Sequence, residues 1–324
     1  MYTPKISILL LTVVLTACHV SNSLISTSIL PSSNLTNNPS SSASPSIITE
    51  HNIIYGFNER HTLDISYRGD LISPVPAVLM IHGGSWISGD KSNMLKYRTA
   101  IIQEGYVYVS MNYRLITNQA TYLDMLEDIE LAIAYIKTQT LGIPIDTTQI
   151  VLAGESAGAH LAMLFSYRNT SPIVIKFILA LVPPLDFTDP NYINFGNPTN
   201  QLFLANQLMQ TNIMNANELL ENGYPQSWYD ASPIHFLETA VPTLIGYGAL
   251  DELIPQSNYV RFLEKVGEIN APVEAILFAN SGHALDNDPI QLEELFNSFF
   301  LSIKNITYQS YPLTFNTHMG ILTI

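Results

Sequence analysis

Short apolar runs, closed by Gly, Pro or polar residues, alternate through the middle of this chain with longer segments whose apolar positions recur at helical spacing. Runs at 76–81, 149–153, 242–248 and 273–278 are largely apolar. They are too short for helices and suit strands buried in a parallel sheet. Further strands are predicted at 52–57, 63–67 and 106–111, and helices at 93–104, 123–138, from about Ala159 onward, and at 290–303. In the second helix Leu126, Ile129, Ile133 and Ile136 make one apolar stripe, a core face. This alternation predicts an α/β fold, a mostly parallel central sheet with helices on both faces.

The alternation fits one domain over 51–304, and it is interrupted at about 186–238. That interruption carries Tyr192, Phe195, Phe203, Met209, Met214, Trp228 and Tyr229, so an inserted cap over the site is expected; helices that merely cover the sheet are the plainer alternative. The segment 305–324 has no Asp, Glu, Lys or Arg and no assignable role.

The amino terminus has a different pattern. Lys5 precedes an apolar run at 6–15, too short to span a bilayer and suited to a secretory signal. Residues 18–50 are mostly Ser, Thr, Asn and Pro, which cannot bury enough surface to offset the entropy of ordering, so a disordered tether is expected. As a coil it would span about 30 Å.

Composition narrows the partners. With 13 Lys plus Arg against 27 Asp plus Glu the net charge is -14, which opposes binding to nucleic acid and anionic lipid. Cys18 is the only cysteine, so no intramolecular disulfide forms. No CxxC, HExxH, P-loop or GxGxxG pattern is present, and the reading includes neither metal nor cofactor.

Chemistry is concentrated at four places. Gly154-Glu155-Ser156-Ala157-Gly158 joins a predicted strand to a predicted helix, the setting of a nucleophile elbow, which makes Ser156 the candidate nucleophile. The run 76–81 ends in His82-Gly83-Gly84-Ser85-Trp86, a glycine-rich loop whose Gly83 and Gly84 amides, with that of Ala157, are candidates for an oxyanion hole. His82 is read as orienting that loop. Asp251 follows the strand at 242–248 and His283 follows the strand at 273–278, giving the order Ser156, Asp251, His283. His283 would take and return the serine proton while Asp251 sets its tautomer, with Glu252 the rival for the acid.

The motifs HGGSWISGDKS, Asn112-Tyr113-Arg114-Leu115, IDTTQIVLAGESAGAHLA, GALDELIP and SGHAL together resemble those of α/β-hydrolase fold esterases, in the hormone-sensitive-lipase-like and bacterial feruloyl/acetyl-esterase-like groups. The resemblance spans about residues 50–304 and implies a serine carboxylesterase for short-acyl or small neutral esters. Kynurenine formamidases and isoprenylcysteine methylesterases look similar in the same motifs, so an amidase or peptidase on one triad, or an inactive surface-binding module, stand as alternatives. Two departures are Ser85 at a position often Gly, which bears on loop flexibility, and Asn112 where relatives often carry Asp, which weakens an ion pair with Arg114. Leu15-Thr16-Ala17-Cys18 resembles the lipobox of bacterial lipoproteins. It implies a signal peptide at 1–17, lipidation of Cys18, and an exported protein anchored to a bacterial membrane.

Overall fold

The computed structural model describes residues 45–308 apart from 140, 141, 169 and 172. The expected signal peptide, Cys18, most of the expected tether and most of the expected tail lie outside the described residues. Eight strands form one sheet: β1 Ile47–Ile54, β2 Thr62–Arg68, β3 Val75–Ile81, β4 Val107–Met111, β5 Ile145–Glu155, β6 Ile175–Leu181, β7 Thr243–Gly248 and β8 Val273–Phe278. Their spatial order is β1-β2-β4-β3-β5-β6-β7-β8. β2 is antiparallel to both β1 and β4, and every neighbouring pair from β4 to β8 is parallel. This is the α/β-hydrolase fold.

The continuous apolar runs pack both ways. In β3, Ala77, Leu79 and Ile81 enter one core and Val78 and Met80 the other; β4 divides likewise, with Val107, Val109 and Met111 opposite Tyr108. Helices α1 Leu95–Gln103, α2 Tyr122–Gln139 and α3 Ala157–Arg168 lie between the strands in sequence. The predicted stripe Leu126, Ile129, Ile133 and Ile136 on α2 is buried in the first core. The second core is closed by Ile101 and Ile102 of α1 and by residues 295, 299, 300 and 303 of the last helix, Pro289–Tyr308.

Some boundaries differ from expectation. The first strand is Ile47–Ile54 rather than 52–57, so residues 47–50 of the segment expected to be a tether are paired in the sheet. Cross-strand pairing from Ile47↔Arg68 to Ile54↔Thr62 places this largely exposed strand at the sheet edge, and Asn52, at φ 54°, sits in the irregularity between Glu50 and Ile53. The last helix continues past 304 to Tyr308.

Between β6 and β7, among the described residues, there is no strand. The helices are α4 Pro198–Met209, α5 Ala216–Asn222, α6 Gln226–Asp230 and the 3₁₀ segment Pro233–Thr239. Asn197 and Asn215 cap α4 and α5 by accepting from Asn200 and Glu218 backbone N–H groups. This insert packs on α7 Gln256–Ile269: the Asn258 side chain accepts from Leu185 N–H and donates to Asp186 O, and Ser257 Oγ donates to Asp189 Oδ2 at 2.6 Å. Of the residues expected in a cap, Tyr192, Met209 and Trp228 are buried, while Phe203 and Met214 are exposed.

Candidate active site

β5 ends at Glu155 and α3 begins at Ala157, so Ser156 alone makes the turn, at φ 50°. A left-handed serine costs about 1–2 kcal/mol, and the elbow is held by Ser156 N–H donating to Leu181 O at 2.8 Å and His160 N–H donating to Ser156 O at 2.9 Å. Neither flanking glycine leaves room for a side chain. A Cβ on Gly154 would lie 2.5 Å from the Gly158 carbonyl carbon, and one on Gly158 would lie 2.1 Å from Ile81 O. The glycines therefore let strand β5, helix α3 and strand β3 meet at the serine.

The loop after β3 approaches the same residue. A Cβ on Gly83 would lie 3.3 Å from Ser156 Cβ and 3.0 Å from Glu155 O. Among the described residues the amides of Gly83 and Gly84 donate to no carbonyl. Ala157 holds the first position of α3, where a helix leaves N–H groups without an internal acceptor. Gly84 has φ 112°, and Ser85 and Trp86 follow at 51° and 61°. Ser85, the departure from the family loop, thus occupies a conformation that glycine adopts without penalty.

His82 is fully buried and does not reach the serine's chemistry. Its Nδ1–H donates to Gly83 O at 2.7 Å and its Nε2 accepts from Arg60 Nη2 at 3.1 Å; its ring stacks on Tyr113. Burial pushes its pKa down to about 4, so the ring is neutral in this role. Arg60, whose part the motifs did not reveal, also donates to Tyr113 O and Gly89 O, tying the loop to the end of β4.

Asp251 and His283 stand after β7 and β8, at the same sheet edge as Ser156, where open α/β sheets place ligands. Asp251 is 5% exposed; its Oδ2 accepts from His283 Nδ1 at 2.8 Å, and its Oδ1 accepts from the Leu253 and Ile254 N–H groups at 2.8 and 2.9 Å. His283 Nε2 is buried and has no hydrogen-bond partner, so the bond to Ser156 Oγ is not made in this structure. Glu252 has a different partner: its Oε2 accepts from the His283 backbone N–H at 3.1 Å. The histidine loop is further held by Asp288, which accepts from Asn280 N–H, Asn280 Nδ2 and Ser281 Oγ.

Three cations are engaged away from the serine, while Lys96 pairs with Glu155, the residue before Ser156. Lys91 is buried against Asp64 at 2.8 Å, Arg114 pairs with Asp124, Glu127 and Asp128, and Arg261 pairs with Asp186. Asn112, in place of an acid, accepts from Lys91 N–H and donates to Asp90 Oδ2. Among the described residues no group of three or more His, Cys, Asp or Glu is placed to hold a metal ion.

The BD-FAE family model matches residues 63–266. Esterase LipC of Mycobacterium tuberculosis is 24% identical over 252 residues, 72% of this chain and 59% of that protein. The probable carboxylic ester hydrolase LipM of the same organism is 26% identical over 250 residues, 72% of this chain and 56% of its own. The chain thus spans little more than half the length of these relatives. Among solved structures, a truncated carbohydrate esterase from gut microbiota superposes with TM-score 0.67 at 17% identity, covering 82% of this chain and 98% of that one. Esterase B from Lactobacillus rhamnosis gives 0.65 at 16% identity, covering 80% and 87%. At such identities the likeness is one of fold.

Proposed function

The chain belongs to the BD-FAE family, and on that premise we propose that it is a serine carboxylesterase with the triad Ser156, His283 and Asp251. The observation that carries the reading is the Asp251–His283 pair: a buried carboxylate fixes the imidazole through Nδ1 and leaves Nε2 buried without a partner, at the sheet edge where Ser156 is raised on its elbow. In the reaction Ser156 Oγ attacks the ester carbonyl carbon as its proton passes to His283 Nε2. The carbonyl oxygen becomes an oxyanion, which the Gly83, Gly84 and Ala157 amides receive. Collapse expels the alcohol, which takes the proton from His283 and leaves Ser156 acylated. Water, deprotonated by the same nitrogen, then attacks the acyl carbon and releases the acid and the serine. Catalytic hydrogen bonds often tighten only when substrate binds, so the unmade Ser156–His283 bond is compatible with this role.

The substrates we propose are short-acyl or small neutral esters. The committed side chains of Lys91, Arg114 and Arg261 support this, because each is the kind of group that would otherwise neutralise an anionic substrate. The insert at 186–238 is proposed as a cap, and its ties to α7 support a fixed position for it. We further propose that Cys18 is lipidated after removal of 1–17 and anchors an exported enzyme to a bacterial membrane, on the strength of the Leu15-Thr16-Ala17-Cys18 string.

One labelling experiment tests these points together. A fluorophosphonate should modify the wild type at Ser156 alone, and Ser156→Ala should fold, escape the label and lose nearly all ester hydrolysis. In fractionated cells the label should sit in the membrane fraction and leave it in Cys18→Ser. Substantial turnover by Ser156→Ala overturns the triad; label that is soluble in the wild type overturns the anchor.

A further inference from the structure

The loop carrying Gly83 and Gly84 runs through three consecutive left-handed residues, Gly84, Ser85 and Trp86. Two of these are not glycine, so the loop keeps its course only where its surroundings hold it. Backbone bonds hold part of it: the Ile87 and Ser88 N–H groups donate to Gly84 O, each at 3.1 Å, and Ile116 N–H donates to Trp86 O at 3.0 Å. Side chains add to this hold: Ser88 Oγ donates to Gly84 O at 3.1 Å, and His82 and Arg60 bond Gly83 O and Gly89 O, but at Trp86 itself the side-chain bond is a different one. The indole Nε1–H of Trp86 donates to His160 Nδ1 at 3.3 Å, in a fully buried setting.

That acceptor role sets the tautomer of His160. Its proton is on Nε2, which donates to Ala231 O, immediately after α6 of the insert, at 2.7 Å. Burial pushes the ring's pKa down to about 4, so acceptance at Nδ1 persists at neutral pH. His160 lies in the first turn of α3, and its backbone N–H donates to Ser156 O. Phe187 closes the cluster with its ring 5.2 Å from His160 and 5.8 Å from Trp86. One residue therefore touches the nucleophile's backbone, the glycine loop and the insert.

We propose that His160 is a positioning residue, which, by accepting from Trp86 and donating to Ala231, locks the Gly83–Gly84 loop over Ser156 and ties loop, nucleophile helix and insert together. This rests on the function proposed above, in which Ser156 attacks an ester whose oxyanion the Gly83 and Gly84 amides receive. A side chain in this place must accept at one atom and donate at another, which a neutral imidazole or a carboxamide can do and an aliphatic group cannot. Misplacing the loop would weaken the transition state more than the ground state, because the oxyanion exists only in the former.

The test compares kcat, KM and inhibition by a trifluoromethyl ketone, which forms a tetrahedral adduct, in Trp86→Phe, His160→Gln, His160→Leu and the Trp86→Phe/His160→Leu pair. Trp86→Phe and His160→Leu should lower kcat about ten- to a hundredfold with KM little changed, and weaken the ketone by a similar factor. His160→Gln should recover most of the loss, and the pair should be no worse than His160→Leu, since both changes break one bond. Should His160→Leu fail to fold, Trp86→Phe and His160→Gln carry the same comparison. Unchanged kcat in Trp86→Phe, an effect confined to KM, or single effects that multiply in the pair would overturn the proposal. Failure of the underlying reading is separable: there Ser156→Ala stays active, whereas here it is dead while Trp86→Phe is not impaired.

Discussion

Asp251 and Glu252 are neighbours in the chain with different partners, and the difference is readable at single atoms. Asp251 meets the His283 ring, while Glu252 meets the His283 backbone N–H. Asp251→Asn would present an amide that can donate to Nδ1, favouring the tautomer in which Nε2 carries the proton and cannot accept one from Ser156. Its kcat should fall by about 10⁴ with the fold intact. Glu252→Gln keeps an oxygen to accept the backbone N–H, so its kcat should remain within about tenfold of wild type, a modest loss for one charge-assisted bond made neutral. Steady-state kinetics on one short ester distinguishes them: equal losses from the two changes would overturn the preference for Asp251, and a larger loss in Glu252→Gln would make Glu252 the acid.

At the scale of elements, the insert between β6 and β7, proposed as a cap, would set the charge that a substrate meets. From 177 to 260 the chain has no Lys or Arg, yet Asp186, Asp189, Glu218, Glu221, Asp230, Glu238, Asp251 and Glu252 all fall there. The structure softens this imbalance at one point, because Arg261 of α7 reaches back to Asp186 with Nε and Nη2, each 2.8 Å from Oδ2. The other carboxylates gain no such partner from the neighbouring helix among the described ion pairs. An acetyl ester should therefore be hydrolysed with higher kcat/KM than its succinyl counterpart, and the gap should narrow as salt screens the repulsion. Equal or better use of the succinyl ester at low ionic strength sinks this expectation.

For the molecule as a whole, the buried rings of His82 and His160 make stability depend on pH. His82 and His160 titrate near 6.5 when unfolded, but burial holds each at about 4 in the folded chain. Between these values the unfolded chain binds more protons, so stability falls as pH drops across this window and the effect levels off below it. Each ring contributes on the order of 3 kcal/mol over the full window. Asp90 extends the fall: burial pushes it up, but bonds from Ser92 and Asn112 outweigh this and hold it at about 2, so its stabilisation is lost in turn at lower pH. Urea midpoints should drop steadily from pH 7 to pH 4, and His160→Gln should flatten that slope by removing one of the two rings. A midpoint constant over this range would contradict the assignment of neutral rings.

Much of this protein is legible in order along the chain. Period and run length mark six of the strands and the main helices, and place the first strand only approximately, because an inner strand buried on both faces must be apolar throughout and a helix on a sheet needs one apolar stripe, whereas β1 is an exposed edge. Gly154 and Gly158 mark the elbow, since only glycine tolerates the approach of Ile81 O and the α3 backbone. Strand β6 is as apolar and buried a run as the strands that the pattern marks, whereas the four helical segments of the insert are capped by Asn or begin at or after Pro and have no strong period to mark them. What only the tertiary structure decided is which polar groups meet: Arg60 with His82, His160 between Trp86 and Ala231, Glu252 with a backbone N–H, Asp288 with the histidine loop. Spacing along a chain specifies which face of an element is apolar, whereas a hydrogen bond between residues many positions apart depends on where separate strands end, and that is set by the packing of the whole sheet.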